Sequence, residues 1–166
     1  MSGKLPTSSV LEDLYGRPGH LLRRCQQIHV ALFLQELARF DLTPIQYATM
    51  FVLSRANGMD QVTLAGFVAI DRSTAGNVLM RLQSKGLVKR EPSPEDGRAR
   101  NLLLTAKGKK MVRDATAAVT RVQERLLSPL SKKEQSVFVN ALRKIADSHN
   151  DKSRAPLRGG RAVTAR

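Results

Sequence analysis

The chain has 166 residues, with 28 lysines and arginines against 14 aspartates and glutamates, for a formal net charge of +14. Hydrophobic residues make up 42%, which is too many for a disordered chain, and the length suits one domain, or one domain with an appendage. The apolar runs fall short of the about 20 residues of a membrane span, no apolar signal-peptide core is evident, and the single cysteine has no partner in the chain. We therefore expect a cytoplasmic protein without a membrane partner.

The N-terminal part predicts an arm followed by a long helix. Residues 1–19 contain two prolines and several glycines, which favour a flexible arm. The stretch from His20 to Phe40 contains neither proline nor glycine, and its apolar positions recur at helical spacing. They form a wide face, which indicates burial against more than one partner element.

Two helix starts then stand out. Thr43, Pro44 and Gln46 form a capping box with proline at the first helical position. This helix should stop near Asn57-Gly58, and a short segment from Val62 to Ala69 follows. Asp71 predicts the cap of a helix from Arg72 to Lys85, ended by Gly86. That helix should bury Ala75, Val78, Leu79 and Leu82 and expose Arg72, Ser73, Asn77 and Arg81.

A hairpin and two further helices are predicted next. Leu87–Glu91 and Asn101–Leu104 can pair around a turn-rich segment that holds Asp96-Gly97, and this hairpin is basic. Thr105 should cap a helix to about Leu127, and a capping box at Ser131 opens the last helix. We expect residues 150–166 to form a disordered basic tail. The helix after Thr105 carries an apolar seam that suits either a coiled-coil contact or the protein's own core: Val112, Ala115, Val119, Val122 and Leu126.

The charge is concentrated in the middle of the chain. Residues 71–113 carry eleven basic and four acidic side chains, whereas residues 1–70 carry six and five. Such a patch favours nucleic acid as a partner. No aromatic residue falls between Arg72 and Arg113, and proteins that grip single strands usually stack bases on aromatic rings. Duplex DNA is therefore the predicted ligand.

A helix-turn-helix followed by a basic wing accounts for this arrangement. The second helix of such a motif enters the major groove, and the residues near its N-terminus face base edges and phosphates. The wing could place a guanidinium in a neighbouring minor groove. The predicted DNA-binding residues are Arg72, Ser73, Thr74, Asn77, Arg98 and Arg100.

These segments resemble the MarR family of regulators. The run from Asp71 to Arg90 looks like that family's recognition helix, and Asp96-Gly97-Arg98 is similar to its Asp-x-Arg wing signature. Gly76 and Asn77 depart from the usual pattern, because many relatives carry a larger residue and an arginine at these positions. Asn77 favours adenine over guanine.

The resemblance implies a mainly α-helical winged helix-turn-helix protein that dimerises through its N- and C-terminal helices. It divides the chain into a dimerisation helix (20–42), a DNA-binding lobe (43–106) and C-terminal dimerisation helices (107–149). It further implies a homodimer that binds a palindromic operator as a repressor. A small aromatic or anionic effector, acyl thioesters included, would release this repressor from the DNA. A non-specific architectural DNA-binding protein is the alternative.

Other residues suggest weaker roles. His20, Arg24 and Gln27 fall on one helix face and could bind an anionic effector, although a plain polar face explains them as well. Cys25 lies on the apolar stripe, so we expect a buried structural thiol rather than a redox sensor. We find no constellation for a metal, a cofactor or an enzymatic reaction.

Overall fold

The computed structural model describes residues 8–56, 58–92 and 100–159. Seven α-helices and one hairpin make up this part of the chain. The helices are α1 (Ser8–Tyr15), α2 (Pro18–Glu36), α3 (Pro44–Arg55), α4 (Gln61–Val68), α5 (Arg72–Ser84), α6 (Ala106–Leu127) and α7 (Lys132–Ser148). The strands are β1 (Val88–Pro92) and β2 (Arg100–Leu104), and short 3-10 turns cover Ala38–Phe40 and Asn150–Lys152.

The predicted helix starts are confirmed by their hydrogen bonds. Thr43 and Gln46 form a reciprocal capping box at α3, and Ser131 and Glu134 form another at α7. Thr105 accepts a hydrogen bond from the Gly108 amide and so begins α6. Each cap satisfies an amide that a helix start leaves without an intrahelical partner.

The hairpin is antiparallel and attaches directly to the helical core. Val88 pairs with Leu104 and Pro92 with Arg100. Met59 adds an isolated bridge to Leu102, which ties the segment before α4 to the hairpin. Residues 93–99, the predicted wing tip with Arg98, lie outside the described residues.

One hydrophobic core joins the two halves of the chain. Leu79, Leu82, Leu87 and Leu102 belong to the lobe that contains the hairpin, and they continue into the cluster formed by α2, α3 and α6. Part of the α6 seam packs on this core, since Val112, Ala115 and Val122 are buried within the same chain. Val119 and Leu126 are only partly buried, so a coiled-coil contact along the seam stays a prediction. Two salt bridges to Glu36, from Arg121 (3.0 Å) and Arg125 (2.8 Å), add to the contact between α2 and α6.

Two predictions for the ends of the chain are wrong. Residues 8–19 are not an arm, because Ser8–Tyr15 is helical and Pro18 occupies the first position of α2, where proline is well tolerated. Residues 150–159 are not a structureless tail, because Asn150 and Arg158 make specific hydrogen bonds. Residues 1–7 and 160–166 lie outside the described residues.

The terminal helices leave apolar surface uncovered. α7 contains no buried residue, and Val137 and Ile145 are more than half exposed. On α2, Phe33 is buried whereas Leu21, Leu22 and Ile28 are exposed, so only the C-terminal part of this helix packs on the core. A bilayer-crossing helix is absent from the described ranges, since each helix there is too short or too polar.

Candidate nucleic-acid interface

The start of α5 is held by a rigid cap. Asp71 accepts hydrogen bonds from the Thr74 amide (2.9 Å) and the Thr74 hydroxyl (2.8 Å). These bonds lower the pKa of Asp71 below its usual value. Ala69, just before, adopts a left-handed conformation with φ 54° and ends α4. The turn between the two helices is therefore short and fixed, as a helix-turn-helix requires.

α5 presents a polar face opposite its buried side. Ala75, Leu79 and Leu82 are buried in the core, which fixes the rotation of the helix. The four positions that the sequence predicts to be exposed are exposed: Arg72, Ser73, Asn77 and Arg81. Met80 is exposed as well. Thr74 differs from the expectation, since it is only partly exposed and its hydroxyl donates to Asp71. It locks the start of the helix and has no hydroxyl proton to spare for a base.

Three arginines from three different elements line one cleft. Arg72 of α5, Arg90 of β1 and Arg100 of β2 surround a cleft of about 350 Å³ at the N-terminus of α4. We call it the three-arginine cleft. Guanidinium groups bind phosphate oxygens through paired hydrogen bonds. The cleft therefore suits a phosphate.

Gln61 connects the parts of this cleft. Its side-chain oxygen accepts a hydrogen bond from Arg90 (2.9 Å), and its amide nitrogen donates to the Arg72 carbonyl (3.4 Å). One side chain thus links the hairpin to the start of α5. Neither Arg90 nor Gln61 is among the DNA-binding residues predicted from the sequence, because their convergence depends on how the hairpin packs.

Among the described residues, Asp60 is the one acidic side chain that lines the cleft. It caps α4 by accepting hydrogen bonds from Val62 (2.7 Å) and from the amide and hydroxyl of Thr63 (3.0 and 2.6 Å). The Thr63 hydroxyl is the main cause that lowers the pKa of Asp60. Asp60 is thus ionised at neutral pH, and its carboxylate is already hydrogen-bonded to the start of α4. The positive charge of the three arginines therefore exceeds the negative charge of Asp60.

The three predicted effector residues have different surroundings. His20 is partly buried beside the Tyr15 ring (5.6 Å between ring centres), and its Nε2 atom is buried without a hydrogen-bond partner in the described part of the chain. Arg24 is exposed, and Gln27 accepts a hydrogen bond from Arg23 (3.0 Å). None of the three lines the clefts described here, so their role in binding an effector stays a prediction.

A different face of α2 lines a groove against α5. This groove, which we call the interhelical groove, has a volume of about 360 Å³. Its walls combine apolar and polar side chains from α2, the start of α3 and the exposed side of α5: Gln26, Val30, Thr43, Pro44, Ile45, Gln46, Thr74, Asn77, Val78 and Arg81. A larger cleft of about 490 Å³ lies between α3 and α6 and is lined by Arg55, Lys109 and Arg113.

Cys25 is exposed, which contradicts the prediction of a buried thiol. The half of α2 that carries it does not reach the core, so the apolar stripe that includes Cys25 stays at the surface of this chain. Among the described residues, no three histidine, cysteine or acidic side chains come together as a metal site.

The sequence matches known transcriptional regulators. The MarR family model matches residues 42–99. The transcriptional regulator HosA of Escherichia coli O111:H- is 36% identical over 129 residues, which cover 78% of this chain and 94% of HosA. The repressor NicR of Pseudomonas putida is 30% identical over 147 residues, covering 86% and 93% of the two chains.

Solved structures share the fold and include complexes. PcaV of Streptomyces coelicolor with its natural ligand has a TM-score of 0.73 at 36% identity, covering 81% of this chain and 94% of PcaV. BpsR of Bordetella bronchiseptica, whose DNA binding is regulated by 6-hydroxynicotinic acid, has a TM-score of 0.76 at 30% identity, covering 80% and 94%. The repressor CouR bound to a 23-mer DNA duplex scores 0.75 at 30% identity, covering 87% and 99%.

Proposed function

Because this chain belongs to the MarR family of DNA-binding transcriptional regulators, we propose that it is a homodimeric repressor of a palindromic operator, released by a small anionic aromatic effector. The observation that carries the proposal is the exposed polar start of α5 beside the three-arginine cleft. The relatives of this chain are transcriptional regulators rather than enzymes.

The start of α5 supplies sequence readout in this proposal. Ser73 and Asn77 are short, exposed side chains that let the helix approach the floor of the major groove. Asn77 can pair with the N6 and N7 atoms of adenine. Arg72, Arg90 and Arg100 then hold the backbone, because phosphate contacts position a protein on DNA while base contacts give specificity. Arg98 remains a predicted minor-groove contact.

Uncovered apolar surface supports the homodimer. No residue of α7 is fully buried within its own chain, and Val137 and Ile145 are exposed, as are Leu21, Leu22 and Ile28 on α2. Several large exposed apolar side chains on one pair of helices are typical of a protein interface. A twofold dimer through these helices would present two α5 helices to DNA, so we expect half-sites about one helical turn apart, or a multiple of it.

The interhelical groove is the effector site that we favour. It combines apolar walls at Val30, Ile45 and Val78 with the Arg81 guanidinium, which suits a ring that carries a carboxylate. Its volume of about 360 Å³ lies at the low end for small-molecule sites. It therefore fits an aromatic acid better than a complete acyl thioester. An effector there would touch Asn77, which couples ligand binding to base contact.

A competition assay tests the regulator against the architectural alternative. We expect the protein to bind the DNA that flanks its own gene about 10³-fold more tightly than random duplex at the same salt concentration. Equal affinity for both would favour the architectural alternative. Arg72→Ala should weaken binding to both, and Asn77→Ala should mainly reduce the preference for the operator.

The effector site is tested by matched arginine variants. A panel of aromatic acids, 6-hydroxynicotinic acid among them, is added to the protein–operator complex, and release is followed by fluorescence anisotropy. Arg81→Gln should raise the concentration needed for release by an active acid, whereas Arg55→Gln, in the cleft between α3 and α6, should not. The reverse result would place the effector in that second cleft.

A further inference from the structure

The segment that follows α7 folds back on itself. Asn150 clamps this segment at Leu157: its amide nitrogen donates to the Leu157 carbonyl (3.0 Å), and its oxygen accepts from the Leu157 amide (2.8 Å). The bond from the Ser153 amide to the Asn150 carbonyl (3.2 Å) tightens the same turn. Residues 149–159 therefore form a closed loop, which we call the C-terminal strap.

The strap is docked on α4, the first helix of the DNA-binding motif. The Arg158 amide donates to the Gly66 carbonyl (2.9 Å). A Cβ atom on Gly66 would lie 2.9 Å from the Arg158 Cβ, and one on Gly159 would lie 2.4 Å from the Phe67 ring. Gly159 also has φ +87°, which favours glycine. The close approach thus depends on two glycines, Gly66 in α4 and Gly159 in the strap.

The docked strap places a cation beside the N-terminal end of α5. The Arg154 guanidinium lies 3.6 Å from the Asp71 carboxylate, and its side chain is 86% exposed. Asp71 caps the end of α5 that must approach DNA, where a carboxylate repels phosphates. Arg154 offsets that charge and, being exposed, can also reach a phosphate oxygen.

From these contacts we propose that the C-terminal strap is a second DNA-binding element, which places Arg154 on a phosphate of the duplex beside the start of α5. The proposal rests on the DNA-binding function above. It differs from the action of a free basic tail, because here the position of the charge is set by Asn150 and by the contact between Gly66 and Arg158.

Two variants separate docking from charge. Arg154→Ala removes the cation and keeps the dock, while Asn150→Ala breaks the clamp without changing any charge. Affinity is measured against salt concentration on both the operator and a random duplex, with Lys133→Ala, an exposed lysine on α7, as the charge control. Thermal melting confirms that each variant is folded.

We expect Arg154→Ala to weaken binding about tenfold and to reduce the slope of log K against log salt by about 1.8, which is two phosphate contacts per dimer. Asn150→Ala should reduce affinity and slope in the same direction on both duplexes, and Lys133→Ala should change neither. The proposal is overturned if Arg154→Ala keeps the wild-type slope, because Arg154 then contacts no phosphate. It is also overturned if Arg154→Ala reduces the slope but Asn150→Ala does not, because the clamp then does not position the charge. Equal wild-type affinity for both duplexes would instead refute the regulator function.

Discussion

Two glycines in helices should respond oppositely to the same substitution. Gly108 lies in the first turn of α6, where an added Cβ would sit 2.1 Å from the Leu87 carbonyl oxygen. Gly76 lies inside α5, where a Cβ would meet only the Gln61 side-chain nitrogen at 3.6 Å, an ordinary contact. The change in stability on Gly→Ala therefore reports the cost of close packing at position 108 and the gain in helix propensity at position 76.

The magnitudes follow from these two environments. At 108 the obstacle is backbone, so α6 must shift relative to β1, and overpacking of this kind costs about 1–3 kcal/mol. At 76 alanine removes the unfavourable helix propensity of glycine, a gain of about 1 kcal/mol. At about 2–4 °C per kcal/mol for a chain of this size, Gly108→Ala should lower Tm by about 2–12 °C and Gly76→Ala should raise it by about 2–4 °C.

Calorimetry of the two variants and the double mutant tests this reasoning. The double mutant should show the sum of the two shifts, because separated sites without shared partners are additive. A Gly108→Ala protein as stable as the wild type would refute the close contact between α6 and Leu87. A less stable Gly76→Ala protein would show that position 76 is not open to a methyl group.

Further outcomes are expected for the DNA contacts, the pH dependence and the dimer. Arg100→Ala should reduce the salt slope by about 0.9 per half-site, and an unchanged slope would exclude the three-arginine cleft as a phosphate site. Arg125 and then Arg121 lower the pKa of Glu36 below its usual 4.5, so the stability that Glu36 contributes is present above that pH and is lost as the pH falls below it. In urea titrations the wild type should therefore lose its advantage over Glu36→Gln on acidification, and a constant gap would contradict this. Ile145→Asp should yield monomers in sedimentation velocity while Lys144→Ala yields dimers; a dimeric Ile145→Asp protein would exclude α7 from the interface.

Local signals made the helix starts predictable. Thr43, Asp71 and Ser131 each bond to a residue three positions away, so the capping pattern can be read directly from neighbouring residues. The rotation of α5 was also predictable, because its apolar residues recur at helical spacing. Its exposed face, with Arg72 and Asn77, followed from that rotation.

Contacts between distant segments were not predictable. Gly66 and Arg158 are far apart in sequence, and nothing in the composition of residues 150–159 indicates that a helix of the DNA-binding motif holds them. At the other end, Pro18 was interpreted as part of a loose arm, although proline serves equally well at the start of a helix. Both errors arise from treating proline and glycine as signs of disorder.

The candidate effector face shows a related limit. α2 has apolar residues on more than one side, so its periodicity does not reveal which side meets α5. The sequence favoured Arg24 and Gln27, whereas Gln26 and Val30 line the interhelical groove. The convergence of Arg90 with Arg72 required the packing of β1 against α4 through Gln61, which no local pattern encodes.

A hydroxyl-radical footprint on the DNA that flanks the protein's own gene tests the central claim most directly. If α5 reads specific bases in a twofold complex, two protected patches should appear, related by symmetry and centred about one helical turn apart or a multiple of it. Asn77→Ala should weaken both patches together. Even protection along the whole fragment, at concentrations that also coat random duplex, would contradict the account.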